Sequence, residues 1–401
     1  MALITSLFSG CGFTRKKKVE KISLSLWGCE EMVPILKKGV DEFNELHKDE
    51  VIIEARVSVE SESTCKDAVL SDPKHAADLF CFADDQFSDL YNAGVLLEIT
   101  ENTDAIYKSV GGKDTVAGYM ITKDDKVYAY PHTAGNGYFL YYNKKYFNED
   151  DITSLDKILE IAKENNKYFS MDYSSGWYIY SFFKGAGLSV GIDDDDKSNE
   201  CDWNSTDGKY TGVQVCEAMI KIAGNPGFKS LNDDKFVKGV KDGEVIAGIN
   251  GPWNSNTVKE AWGDDYGAAK LPEYTIAGDS VQMSSFMGYK LIGINKGTKS
   301  PKWSMKLAEF LNSREYQLKR YKAVGECPAD IEAAKSEEVK NDLTIKALSE
   351  QSEYATAQII ADPFWDASGK LGITMQGQNS GNKDLQKLLD ATVKEINTIP
   401  Q

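Results

Sequence analysis

Histidine is scarce in this chain and its cysteines follow no pattern. His47, His75 and His132 are too scattered to suggest a metal site, and the seven cysteines (11, 29, 65, 81, 201, 216 and 327) contain no Cys-x-x-Cys pair, so neither a zinc site nor a redox motif is indicated. No apolar run inside the chain reaches the roughly 18 residues a membrane-crossing helix needs. Gly-x-Ser-x-Gly, a phosphate loop, His-Glu-x-x-His and a Gly-x-Gly-x-x-Gly after the first strand are all missing, which leaves no catalytic motif and no call for a cofactor. Positive charge is in deficit as well. Lys plus Arg number 46 against 62 Asp plus Glu, and the net charge of -16 opposes nucleic-acid binding and favours a neutral or cationic ligand, although solubility accounts for it equally well.

What the chain does have is length and apolar content. Its 401 residues, 41% of them hydrophobic, exceed the roughly 250 to 300 at which a single core stops growing, so two domains are expected. Ile22, Leu24 and Leu26 alternate as in a strand, Met32, Val33, Leu36, Val40, Phe43 and Leu46 recur at helical spacing, and Val51 to Val59 extends again. Asp78 to Phe82 reads as a short buried strand, with a polar turn at Asp84-Asp85 and then a helix to Ala93. The stretch Lys126 to Lys145 organises the rest. Two strand-forming runs flank Pro131, which is expected to stop the ladder, and Gly135 and Gly137, which let the backbone turn; this is the form of a crossover between two lobes, an ordinary hairpin loop being the alternative.

Beyond it a second α/β series follows. Ser154 or Thr153 caps a helix through Leu155 to Ala162, and Glu244 to Trp253 is a buried strand whose Gly251-Pro252 turn projects Trp253 from its end. Ser284 to Asn295 reads as one strand, Ser300-Pro301 as a capped helix start, Pro363-Phe364-Trp365 as a loop, and Asp384 to Ile396 as the closing helix. Asp193 to Asp196 reads as a solvated loop rather than a cation site. Cys201 and Cys216 either bridge a loop or, as the commoner case, are buried free thiols.

The loops set aromatic rings beside carboxylates and amides: Trp27 with Glu30 and Glu31, Phe82 with Asp85, Asp172 near Trp177, Asn250 beside Trp253, and Trp365 with Asp366. A sugar ring needs this mixture, because its C–H face packs on a flat ring while its hydroxyl edge needs planar acceptors and donors. Trp253, which follows Pro252, and Trp365, in a Pro-bounded loop, are the strongest candidates; Trp203, Trp262 and Trp303 read as core.

Two resemblances follow from these residues. The first ten residues, apolar or small, lead into Phe8-Ser9-Gly10-Cys11 and the basic tract Arg15 to Lys18, which resembles the end of a bacterial lipoprotein signal, with Phe8 where Leu is usual. It implies acylation at Cys11 and a body tethered at the extracellular face of the cytoplasmic membrane, with the basic tract near anionic headgroups. From about residue 20 onward the chain resembles the solute-binding proteins of sugar ABC importers, the maltose/maltodextrin-binding family in particular. The matching stretches are Asp78 to Phe87, Gly94 to Thr100, Val127 to Pro131 with Leu140 to Lys144, Gly248 to Trp253, and Pro363 to Trp365.

The resemblance implies a two-lobe α/β fold with an interlobe cleft: residues 1–18 a tether, 19–134 plus 287–330 one lobe, 135–286 plus 331–401 the other, and crossings at the organising stretch and near Phe286. It implies a monomer that holds a malto-oligosaccharide or related α-glucan and delivers it to permease subunits, with stacking rings at Phe82, Trp177, Trp253 and Trp365 and hydroxyl-binding groups at Glu30, Glu31 and Asp85. The chain departs from the family pattern at Glu31, where a Lys is usual, at Gly135-Asn136, where a crossover acid is replaced and one residue inserted, and at Gly369, where an Arg is usual. Another oligosaccharide is the alternative, then a sugar-active enzyme using Glu30 and Asp85 as acid and base, or a polysaccharide adhesin.

Overall fold

The structure is a computed structural model that describes residues 18–192 and 198–399; Cys11 with the basic tract at 15–17, and Asp193 to Asp196, lie outside the described residues. Strands β1 (Glu20–Gly28), β2 (Val51–Val59), β3 (Leu79–Ala83) and β4 (Ala129–Ala134) are followed by β5 (Phe139–Asn143), β6 (Tyr168–Ser170), β7 (Phe228–Lys229), β8 (Val245–Asn250) and β9 (Tyr266–Ala269). Then come β10 (Ser285–Met287), β11 (Tyr289–Ile294) and β12 (Ala355–Ala357). They build two five-stranded sheets among the described residues, ordered β2-β1-β3-β11-β4 and β7-β6-β8-β5-β9, and each sheet has its own core. The first core contains Leu24, Leu26, Phe43 and Phe80, the second Leu140, Phe169, Ile249 and Phe364.

The local rules explain most elements. The alternation in β1 buries Leu24 and Leu26, and helix α1 (Val33–Leu46) buries Ile35, Leu36, Val40 and Phe43 while Leu46 stays exposed. The closing helix 385–396 is capped by Asp384, whose carboxylate accepts from the Lys387 N–H at 3.1 Å, and it buries Leu389, Val393 and Ile396, each worth about 1.5–3 kcal/mol. The helix at 155–164 takes its cap from Ser154. Cys201 and Cys216 are buried free thiols, and Trp203, Trp262 and Trp303 are buried in the cores.

Several expectations need correcting. Pro131 lies within β4 opposite Leu291, not at its end; β4 is an edge strand and its register shifts between Lys290 and Leu291, so the missing N–H costs no regular ladder bond. The stretch 284–295 is two strands, β10 and β11, parted at Gly288, where a Cβ would come within 2.6 Å of the Asp84 carboxylate. Ser300 makes no side-chain cap bond, although Pro301 does open its helix. Pro363 to Trp365 is the first turn of a helix, 363–376, rather than a loop, as a proline at the first helical position allows. The polar turn at Asp84-Asp85 is a short 3-10 turn, in which Asp84 is buried.

The chain passes between the sheets at 135–138, at Gly288 and beyond Gly325, and these segments hydrogen-bond to one another. Asn136 N–H donates to Gly288 O at 3.0 Å, Ala134 N–H to Cys327 O at 2.9 Å, and Gln358 N–H to Met287 O at 3.1 Å, while β10 pairs in parallel with β12. Gly135 adopts φ +74°, a left-handed conformation that makes this bend cheap only for glycine. At the edge of this region Arg320 is fully buried, with Nη1 3.2 Å from Leu311 O and 3.0 Å from His132 Nδ1, and Nη2 on His132 O. Burial first, then the guanidinium and Lys290, hold the His132 imidazole well below its usual range.

Below pH of about 6.5 the unfolded chain therefore takes up a proton at this histidine that the folded chain refuses, so stability falls with pH, by up to about 1.4 kcal/mol per unit. Urea unfolding between pH 7.5 and 5.5 should show this component in the wild type and lose it in His132→Asn; parallel pH profiles for the two proteins would refute it.

Candidate functional site

Three half-buried tryptophans gather around the crossing segments. Trp253 follows β8 on a 3-10 turn, 252–254, and its indole folds back over Gly251, where a Cβ would sit 2.0 Å from the ring. Its indole N–H donates to Asp233 at 3.0 Å, and the Asn250 amide donates to the other oxygen of the same carboxylate at 2.8 Å, which fixes the ring plane. Lys290, from β11 of the opposite sheet, lies 5.8 Å from the Trp253 ring centroid.

Trp177 and Trp365 belong to two helices, 176–185 and 363–376, that approach closely because residue 176 is glycine: a Cβ there would meet the Ser368 hydroxyl at 2.0 Å. Their ring centroids are 6.3 Å apart, and Trp177 also stacks on Phe286 of β10 at 5.4 Å and meets Tyr138 edge-on at 5.5 Å. The Trp177 indole N–H is buried without a partner. A donor in that state costs about 1–3 kcal/mol until something accepts from it.

A separate group of charges borders a cavity whose lining includes none of the three tryptophans. Lys66, almost fully buried on the helix 65–71, bonds Asp89 of its own lobe at 3.0 Å and Asp362 of the other lobe. Burial opposes its charge, yet Asp362 and Asp89 more than offset this and leave the ammonium above its usual range. Asp85 has its carboxyl pushed up to about 7, by desolvation first, against the pull of Lys66, with Asp362 adding to the rise and a hydrogen bond from Gln358 opposing it. Gln358 in turn accepts from the Asn136 amide at 3.4 Å. One Asp85 oxygen is buried and unpartnered. Asp84, Asp85, Asp89, Gln358 and Asp362 border a cavity of about 790 Å³ lined from both lobes.

A second charged group lies by Trp253. Lys290 Nζ is 2.5 Å from Glu326 and 3.9 Å from Glu62, all three side chains being buried, and one oxygen of each carboxylate has no partner. Burial disfavours the Lys290 charge, but Glu326 and Glu62 hold it protonated. Among the described residues no group of three or more His, Cys, Asp or Glu is arranged to hold a metal ion, and no described helix is long and apolar enough to cross a membrane.

Of the residues singled out from sequence, the structure brings Trp177 and Trp365 together, and links Asn136 to Asp85 through Gln358. Glu30 and Glu31 are exposed on the turn after β1, next to Cys29, whose thiol is raised by burial and by Glu62. Trp27 is half-buried against the first core, and Asp366 is exposed in the first turn of its helix. Phe82 is a correction: it is fully buried in β3 opposite Leu291, at an inward position of a central strand, and offers no surface for stacking. Gly369 packs where a Cβ would come within 2.9 Å of Ser174 O, so this helix pairing leaves no room for a side chain there. Glu62, Lys66, Glu326 and Gln358 carried no signal in the sequence; Lys290, a lone charge inside an apolar strand run, did.

A model of the bacterial extracellular solute-binding proteins matches residues 38–347. A solved structure obtained with acarbose is 31% identical, with a TM-score of 0.83 over 94% of this chain and 98% of that one. The maltodextrin-binding protein MalE1 from L. casei BL23, solved without ligand, is 26% identical, with a TM-score of 0.77 over 94% and 99%. The galactooligosaccharide-binding protein of Bacillus subtilis (strain 168) is 24% identical over 88% of this chain and 85% of its own length. The match over most of its length, together with two lobes that share a cleft, makes this chain a member of the bacterial extracellular solute-binding proteins.

Proposed function

We propose that the protein captures an oligosaccharide, a malto-oligosaccharide or related α-glucan, between its lobes and delivers it to the permease subunits of an ABC importer. The observation that carries this reading is the set of three half-buried tryptophans, Trp177, Trp253 and Trp365, beside carboxylate oxygens and an indole N–H that have no partner. Flat rings suit the C–H face of a pyranose, and unpaired donors and acceptors suit its hydroxyls. The relatives named for maltodextrin and solved with acarbose support the same class. A galacto-oligosaccharide is the second reading, favoured by the Bacillus subtilis relative. The lobe division at 19–134 plus 287–330 and 135–286 plus 331–401 is part of this proposal and agrees with sheet membership. So are acylation at Cys11, a tether at the extracellular face of the membrane, and a binding role rather than an enzymatic one.

Capture works by closure. The Lys66 bond to Asp362 and the approach of Lys290 to Trp253 both join one lobe to the other near the crossing segments, and a ligand touching both lobes shifts the population toward the shut state.

Titration calorimetry with maltose, maltotriose and longer maltodextrins, with galacto-oligosaccharides, cellobiose and xylobiose alongside, should find binding to the α-glucans; silence across the panel would defeat the reading. Trp253→Ala should weaken the bound sugar by about 1–3 kcal/mol while leaving the unfolding midpoint in place, and unchanged affinity would remove Trp253 from the site. Because Asp362 is half exposed, Asp362→Asn should cost only about 1 kcal/mol of affinity and shift small-angle scattering of the sugar-free protein toward a larger radius of gyration. Asp89→Asn, which breaks a bond within one lobe, should leave the scattering alone. Asp85 is ionised only above pH of about 7, so sugar affinity should fall as pH drops from 8 to 6 and Asp85→Asn should flatten that dependence; equal slopes would show that Asp85 does not accept from the sugar.

A further inference from the structure

The Glu62–Lys290–Glu326 group is built in a way that the fold alone does not require. Glu62 follows β2, and its carbonyl accepts from the Gln86 amide at 2.7 Å and from Ala83 N–H at 3.2 Å, so its backbone is pinned to the end of β3. Lys290 stands in β11 between Ala83 and Thr133. Glu326 precedes Cys327, whose carbonyl is held by Ala134 N–H. Three rigid backbones therefore place three charges that are each more than nine-tenths buried. Packing an ion group inside a protein is stabilising only when its remaining lone pairs are met, and here they are not: Glu62 Oε1 and Glu326 Oε2 have no partner. Glu62 is also too far from Lys290, at 3.9 Å, for a good hydrogen bond.

What lies beside the group is the Trp253 ring, contributed by the other lobe. A pyranose stacked on that ring carries hydroxyls around its rim that donate and accept at once. They match two free carboxylate oxygens and an ammonium with donor capacity to spare. The fully buried Arg320 guanidinium also acts on Glu326, so two carboxylates face two cations, and what the group offers a ring is its free carboxylate oxygens, which take hydroxyl donors.

We infer that Glu62, Lys290 and Glu326 form the polar edge of a sugar subsite floored by Trp253, and that this edge binds the hydroxyls of the ring stacked there. The inference rests on the oligosaccharide reading above and adds the residues that set specificity at one subsite. The subsite is complete only when the lobes are shut, because its floor and its edge come from different lobes.

The test uses Glu62→Gln and Glu326→Gln, which keep shape and remove charge, alone and combined with Trp253→Ala. Calorimetry with the longest maltodextrin the wild type binds should show each Gln variant weakened 10- to 100-fold at an unchanged unfolding midpoint. In the Trp253→Ala background the same changes should cost less than threefold, since no ring then lies against the edge; a merely structural role would cost the same in both backgrounds. Were Glu326→Gln to unfold, Glu62→Gln, on the longer contact, carries the same comparison. Equal binding of the neutral sugar by wild type and variants, or equal losses in both backgrounds, would overturn the subsite and leave the transport reading intact. A wild type that binds no oligosaccharide would overturn both.

Discussion

The chain must cross between its two sheets, and the crossings are tied to one another by backbone hydrogen bonds: Asn136 to Gly288, Ala134 to Cys327, Gln358 to Met287. Everything in the candidate site is measured from those ties. Phe286, on the crossing strand, carries Trp177 and Trp365 against its ring; Lys290, four residues on, reaches Glu326, which sits one residue before a third tie; Gln358 joins Asn136 to Asp85. Because each polar group grows from a segment already fixed by main-chain bonds, its position costs little side-chain ordering beyond what folding has imposed.

This placement also explains why so many buried polar atoms go unmatched near the cleft. A folded core meets nearly all its donors and acceptors, as the Arg320 guanidinium largely does through Leu311 O and His132. Trp177, Asp85, Glu62 and Glu326 break that rule within one region, and the raised Asp85 carboxyl is the electrostatic expression of the same deficit. Unpartnered atoms also lie in the cores, Trp203 Nε1 and the Tyr173 hydroxyl among them, so those near the cleft differ only in lying where two lobes meet, and under the proposed function a hydroxyl-rich ligand offsets their cost.

The fold was legible in the sequence to the extent that local pattern decides it. Alternation in β1, helical spacing in α1 and the Asp384 cap each name an element through forces acting within a few residues. The crossover at Gly135 was legible for the same reason, since a left-handed bend between two strand runs needs glycine. Where tertiary context overrode the pattern the reading failed. Pro131 stays in its strand because β4 is an edge, and Pro363 opens a helix because its φ suits a first turn. The site was legible only where the chemistry is carried by a rare residue. Tryptophan beside proline marks Trp253 and Trp365, whereas Glu62 and Lys66 are two acids and bases among 108 charged residues, distinguished only by burial that long-range packing creates.

Phe82 shows the converse. It lies in the stretch Asp78 to Phe87 that resembles the family, and that resemblance assigned it a stacking role, yet β3 runs through the middle of its sheet and turns this ring into the core. With Phe82 in the core, Trp177, Trp253 and Trp365 are second-lobe rings near the crossings, Trp27 of the first lobe packs on its own core, and Lys290 of the first lobe lies by Trp253. Such a division separates two tasks. Under the proposed function the aromatic lobe takes a pyranose face with little regard to its hydroxyls, because dispersion and C–H packing are nearly indifferent to their orientation, and the charged lobe reads that orientation, because a hydrogen bond to a carboxylate is not. On that reading discrimination among sugars depends on closure, because a sugar that fits only the rings dwells on one lobe without drawing the other shut.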